Sequence, residues 1–124
     1  MDYSQLSDQE INAMVGKIVS TDGLSIIASD GNAVIHEYAD CGEFKGICLG
    51  WKVFDPCNNW SDGGPIIVSN QISLMYEEAI GKWCAGKPYW VDGCEWQLDI
   101  DVMEANPLRS AMIFFLIMQD ANHV

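Results

Sequence analysis

The segment D-P-C-N-N-W-S-D-G-G-P at 55–65 gathers the side chains in this chain best suited to hold a ligand. Asp55, Asn58, Asn59 and Asp62 supply carboxylates and amides, and Trp60 supplies an aromatic face. Gly63 and Gly64 offer backbone that a ligand can approach closely, because no side chain intervenes. These seven residues form a candidate ligand or partner loop. The same composition also describes a structured Ω-type loop whose polar side chains bond its own backbone. The sequence leaves both readings open. It excludes two familiar loops: no Lys-Ser/Thr follows the glycines, as a phosphate-cradling loop needs, and the alternating acidic ligands of a calcium loop are absent.

Other chemistry is thinner. Glu95, Asp99 and Asp101 alternate on one strand face, and paired carboxylates can bind a hard cation or exchange protons. A solvated sheet face has the same alternation. His36 is followed by Glu37, but neighbours on a strand point to opposite faces, so these two do not form a dyad. The five cysteines, Cys41, Cys48, Cys57, Cys84 and Cys94, contain no C-x-x-C pair, and His36 and His123 lie far from any cysteine pair. A zinc site would have to be assembled by the fold without local help. No nucleophile-elbow or metalloprotease motif occurs. No catalytic residue, metal or cofactor is therefore expected. This weakens an enzymatic reading without closing it.

Charge narrows the partners. Eighteen acids against six bases give a formal net charge of −12. Phosphate binding needs clustered Lys and Arg, so direct nucleic-acid binding is not expected, nor is docking on an anionic membrane. Imitation of DNA is the opposite idea. A folded surface of about 6,600 Å² would carry one net charge per roughly 550 Å². Duplex DNA carries one per roughly 100 Å². The scattered acids are too dilute on average, which makes mimicry a third-ranked reading behind partner binding and ligand binding. The odd cysteine count and the lack of a basic-then-apolar N-terminal segment point to reduced thiols in a cytosolic chain.

The elements that must position these groups follow from periodicity. Ser7 and Glu10 make a capping box, Leu6 can staple onto Ile11, and Ile11, Met14, Val15, Ile18 and Val19 form a helical stripe ending before Asp22–Gly23. Residues 24–28 and 33–38 read as strands around a Ser-Asp-Gly-Asn turn, and a third strand follows Gly46. In the third strand Ile47, Leu49, Trp51 and Val53 share one face. Residues 55–65 read as neither helix nor regular strand, given their Pro, Asn and Gly. Residues 65–69 read as extended and 72–75 as a returning strand. One or two helical turns are expected over 77–83, and a hairpin over 87–102 around Asp92–Gly93. Asn106 and Pro107 start a last helix. Its unbroken apolar run, 111–118, is too short for a bilayer and belongs in a core or partly in a dimer interface.

Three collinear segments carry a resemblance: M-D-Y-S-Q-L-S-D-Q-E-I-N at the start, D-P-C-N-N-W-S-D-G-G-P-I-I at 55–67, and N-P-L-R-S-A-M-I-F-F-L-I-M-Q-D-A at 106–121. Together they resemble the NinX-like family of small proteins encoded by lambda-like bacteriophages and prophages. The positions that match are Asn59, Trp60, Gly63, Gly64, Pro65, Ile66 and Ile67, then Pro107, Leu108, Ala111 and Met112. The resemblance implies a phage accessory protein acting in the bacterial cytoplasm, and it brings no catalytic set to carry over.

The expected fold is a single α+β domain over residues 1–124: an antiparallel sheet packed against an N-terminal and a C-terminal helix. The leading function is a non-catalytic acidic module that binds a host or phage protein, with a homodimer as a further possibility. A small-ligand binder or enzyme using the 55–65 loop is the alternative.

Overall fold

A computed structural model describes residues 2–39 and 46–122, and within β6 the side chains of residues 99–101 are outside the description, as is that of Asn122. After a short 3-10 turn at Tyr3–Gln5 come α1 (Asp8–Val19), β1 (Ser25–Ile27), β2 (Ala33–Ala39), β3 (Ile47–Val53), α2 (Trp60–Asn70), β4 (Ser73–Glu77), β5 (Lys82–Val91), β6 (Glu95–Glu104) and α3 (Pro107–Asn122). The class is α+β, as the sequence predicts. The strands divide into two antiparallel sheets, β1-β2-β3 and β4-β5-β6, where a single sheet was expected. The division falls where α2 intervenes between β3 and β4.

The capping box forms as read: Ser7 Oγ accepts from Glu10 N–H at 3.1 Å, and Glu10 Oε1 accepts from Ser7 N–H at 3.3 Å. α1 then lies on one face of the first sheet. Gly16 makes that contact possible, since a Cβ there would sit 2.5 Å from Ser25 Oγ and 3.0 Å from Ile35 Cγ2. The β1–β2 turn closes with Ala28 N–H donating to Asn32 O, and Gly31 takes φ +90°.

α3 is the centre of the molecule. Leu108 and residues 110–116 are buried, and the helix packs on α1, α2 and all three strands of the second sheet. An all-round apolar helix is stable only when covered on every side, and here both layers cover it. The apolar run is therefore core. No helix among the described residues is long and apolar enough to cross a membrane.

Three expectations fail between 55 and 83. Residues 60–70 are helical, although two glycines and Pro65 weigh against a helix. Asn59 caps the start by accepting from Ser61 N–H at 2.9 Å. The other end closes with Gln71 in the left-handed region at φ 53° and Ile72 N–H donating to Ile67 O at 3.0 Å, a Schellman-type bond. Tertiary burial of Gly63 and Ile66 overrides weak propensity. The extended stretch expected at 65–69 is part of this same helix. The helical turns expected over 77–83 are instead the end of β4, a tight turn and the start of β5. Glu77 pairs with Lys82, and Gly81 at φ +64° makes the turn. The hairpin around Asp92–Gly93 forms as predicted, with Gly93 at φ +77°.

Candidate functional site

The 55–59 loop is tied to three helices. Asn12, fully buried on α1, donates from Nδ2 to Asp55 Oδ1 at 2.7 Å and accepts at Oδ1 from Cys57 N–H at 3.0 Å. Asn58 Nδ2 donates to Asp55 Oδ1 at 3.0 Å and to Asp8 Oδ2 at 3.2 Å. Asp62, in the first turn of α2, accepts from Asp55 N–H at 2.9 Å. Asn106 Nδ2 donates to Cys57 O at 2.7 Å, while its Oδ1 caps α3 through Leu108 N–H at 2.9 Å. Burial pushes the Cys57 thiol well above its ordinary pKa, so it is a poor nucleophile.

Each predicted loop residue can now be placed. Asp55, Asn58, Asn59 and Asp62 direct polar atoms to the loop's own backbone, to one another or to α1. Gly63 is a close-packing position, where a Cβ would lie 2.5 Å from Pro56 O and 2.8 Å from Leu108 Cδ2. Gly64 has open space beside it. Trp60 turns outward and is 56% exposed. Glu95 lies on the second sheet, remote in sequence from this loop; the Asp99 and Asp101 side chains, Cys41 and His123 lie outside the described residues.

Sequence reasoning missed Arg109. Its Nη1 donates to Asp8 at 2.7 Å, its Nε to Glu104 at 3.1 Å, and its Nη2 to Ser4 O at 3.1 Å and Leu6 O at 2.8 Å. Burial works against its charge, but the Asp8 and Glu104 carboxylates outweigh that and hold the guanidinium above its ordinary pKa. This cation pins the N-terminal turn to α3 and makes four described bonds.

A second cluster sits on the first sheet. Asp22 Oδ2 accepts from His36 Nδ1 at 2.6 Å and from Tyr38 Oη at 2.8 Å, while its Oδ1 accepts from Leu24 N–H at 3.0 Å. The His36 bond above all, then Tyr38, lowers the Asp22 carboxyl to about 2. His36 stacks on Trp51, its cross-strand partner, with ring centroids 3.7 Å apart. The carboxylate fixes a proton on Nδ1 and sets the orientation of the ring. No described hydrogen bond joins that ring to a hydroxyl or thiol nucleophile. His36 and Tyr38, two apart on a strand, are a signal of a shared face. The approach of Asp22 is set by the α1–β1 connection and has no local signal.

The same face carries Ile26 and Val53, both paired with Val34. These side chains and Trp51 are about half exposed, on the side of the sheet opposite α1. Leu49, skipped in the pairing at a bulge, is exposed too. Among the described residues no group of three or more His, Cys, Asp or Glu is placed to hold a metal ion.

Fold and site together define a small two-sheet α+β protein whose candidate loop is pinned by hydrogen bonds to its neighbouring helices and whose first sheet has an open apolar face. A family model described as Bacteriophage P22, NinX matches residues 2–119. The chain belongs to this family, which makes it a phage accessory protein. It matches no curated protein sequence and no solved structure.

Proposed function

We propose that the chain is a non-catalytic binding module, working in the bacterial cytoplasm, that docks a basic host or phage protein on the open face of the first sheet. The observation that carries this reading is the exposed row of Ile26, Trp51 and Val53 opposite α1. Large apolar groups gathered on one exposed face gain free energy when a partner removes them from water, by about 25 cal/mol per Å². Charge decides the kind of partner. A second copy would bring another −12 to an already acidic molecule, whereas a basic protein is drawn in by the same field.

The test compares the natural chain with Trp51→Ser/Val53→Ser, first confirming that the variant melts normally. A basic protein from phage-infected host extract should be retained stoichiometrically by the natural chain, released by salt, and cross-linked next to Trp51. It should be lost from the variant. Equal retention by both chains, or a cross-link pattern away from this sheet, overturns the assignment.

A further inference from the structure

The second sheet has its own outward face, and part of it borders a cleft. Leu74, Ala85 and Val102 form the cross-strand row that packs toward α3. Met75, Cys84 and Met103 form the alternate row, on the far side. The two methionines are about half exposed, yet Cys84 between them is buried. The cause is the β5–β6 arm. Its register slips between Ala85 and Lys87, and an irregularity of this kind bends a hairpin. Residues 95–98 thereby come beside Met75, Glu77 and Cys84 and line with them an open cleft of about 340 Å³.

The cavity has a definite chemistry. Met75, Cys84 and Leu98 line it with apolar surface, and the Trp96 indole supplies an aromatic wall. Trp90 holds that indole edge-on, with centroids 5.4 Å apart. Two carboxylates complete the lining, and each is anchored through one oxygen. Glu95 Oε1 accepts from Gln97 Nε2 at 3.0 Å, and Gln97 Oε1 in turn accepts from Tyr89 Oη at 3.1 Å. Glu77 Oε1 accepts from Ala79 N–H at 3.3 Å. The described bonds thus engage Oε1 of each glutamate. Lys82 stands opposite Glu77 in the register and offers one positive charge against the two negative ones.

We propose that this cavity takes the side chain of an arginine presented by the partner protein. The inference rests on the partner-binding reading above and names the chemistry of one contact. A guanidinium is planar, stacks on an indole, and meets carboxylates with directed N–H bonds. Its methylene stem lies well along Met75 and Leu98, as long cationic side chains do on apolar surface. A lysine ammonium is a compact, strongly hydrated charge that gains less from the aromatic wall. An anionic group would meet Glu77 and Glu95 and be repelled. The volume is at the small end of ligand pockets, which suits one side chain rather than a cofactor.

The experiment titrates the full chain with N-acetyl-arginine amide and follows the indole N–H resonances of Trp90 and Trp96. Saturable shifts of Trp96 are expected. The lysine analogue should bind several-fold more weakly, and the neutral citrulline analogue should not bind. Glu77→Gln/Glu95→Gln should weaken the arginine probe by about tenfold or more, because charge-assisted bonds are lost, with the fold intact by its amide spectrum. Equal binding of citrulline, unchanged binding by the double variant, or no saturable shift overturns the proposal. Glu95→Gln alone gives the same reading should the double variant fail to fold. The two proposals fail separately. Capture of a basic protein through Trp51 without arginine binding sinks only the pocket. Arginine binding without any captured protein sinks only the docking face.

Discussion

Asn12 and Asp55 are 43 residues apart in sequence and joined at 2.7 Å, with the Asn12 side chain wholly out of solvent. The same amide accepts from Cys57 N–H, so one side chain holds the 55–59 loop against α1 through both of its polar atoms. Asn12→Ala leaves the Cys57 N–H buried without its acceptor. Such orphaned groups cost about 1–3 kcal/mol. Urea unfolding should show a loss in that range. A loss below about 0.5 kcal/mol, the level of ordinary surface substitutions, would mean that the loop is held by something else.

The two glycines of α2 should respond in opposite senses to the same change. A methyl at Gly63 meets the Pro56 carbonyl at 2.5 Å and the Leu108 side chain at 2.8 Å, so backbone has to move. Overpacking of this kind costs roughly 1–3 kcal/mol. A methyl at Gly64 meets nothing within 4 Å. There the helix gains about 0.5–1 kcal/mol, since alanine is less costly to order than glycine. Melting of Gly63→Ala below, and of Gly64→Ala above, the natural chain is the expected order. Identical shifts would contradict the packing.

Stability should fall at both ends of the pH scale for identifiable reasons. Asp22 has a folded pKa of about 2 against an ordinary 3.8. A depressed carboxyl contributes fully above its unfolded pKa, and that contribution is lost as pH falls from about 4 towards 2. Tyr3 runs the other way. Burial, then its hydrogen bond to Asp120, raises the phenol from 10.0 to about 12. Its contribution is complete below pH 10 and is lost as pH rises to about 12. Carbon-detected titration of Asp22 in Tyr38→Phe checks the cause, because removing one donor should move that carboxyl up towards 3.8. An unmoved titration would deny Tyr38 its part.

What the sequence made legible was what local physics decides. The capping box at Ser7 and Glu10, the turns at Gly31 and Gly93, and the cap at Asn106 need only near neighbours, and each is formed. The apolar run of α3 could be read as core because no exposed helix tolerates it. α2 was illegible because its glycines and proline are unfavourable until Gly63 meets Pro56 and Leu108, residues placed by the whole fold. The Asp22–His36 contact, the reach of Asn12 to Cys57 and the three bonds of Arg109 to Asp8, Ser4 and Leu6 are long-range in the same way. No periodicity encodes a contact between residues 8 and 109. The two-sheet division depends on α2, so missing that helix meant expecting one sheet.

The loop that first drew attention separates into residues with different expected effects. Asn59 accepts from Ser61 N–H and caps α2, and Asp62 accepts from Asp55 N–H in the loop before that helix, so each satisfies a backbone donor. Removing such a bond costs about 1 kcal/mol. Trp60, by contrast, is 56% exposed, and truncating it removes little buried area. Asn59→Ala and Asp62→Ala should therefore lower the melting temperature, whereas Trp60→Ala should leave it nearly unchanged. The same three variants are then measured for retention of the basic partner captured through Trp51. If the loop is purely a structural knot, retention by Trp60→Ala equals that of the natural chain, and any loss in the other two follows their stability. If the loop forms part of the partner surface, Trp60→Ala loses partner while melting normally. That split, binding lost at constant stability, is the one outcome that a self-satisfied loop cannot produce.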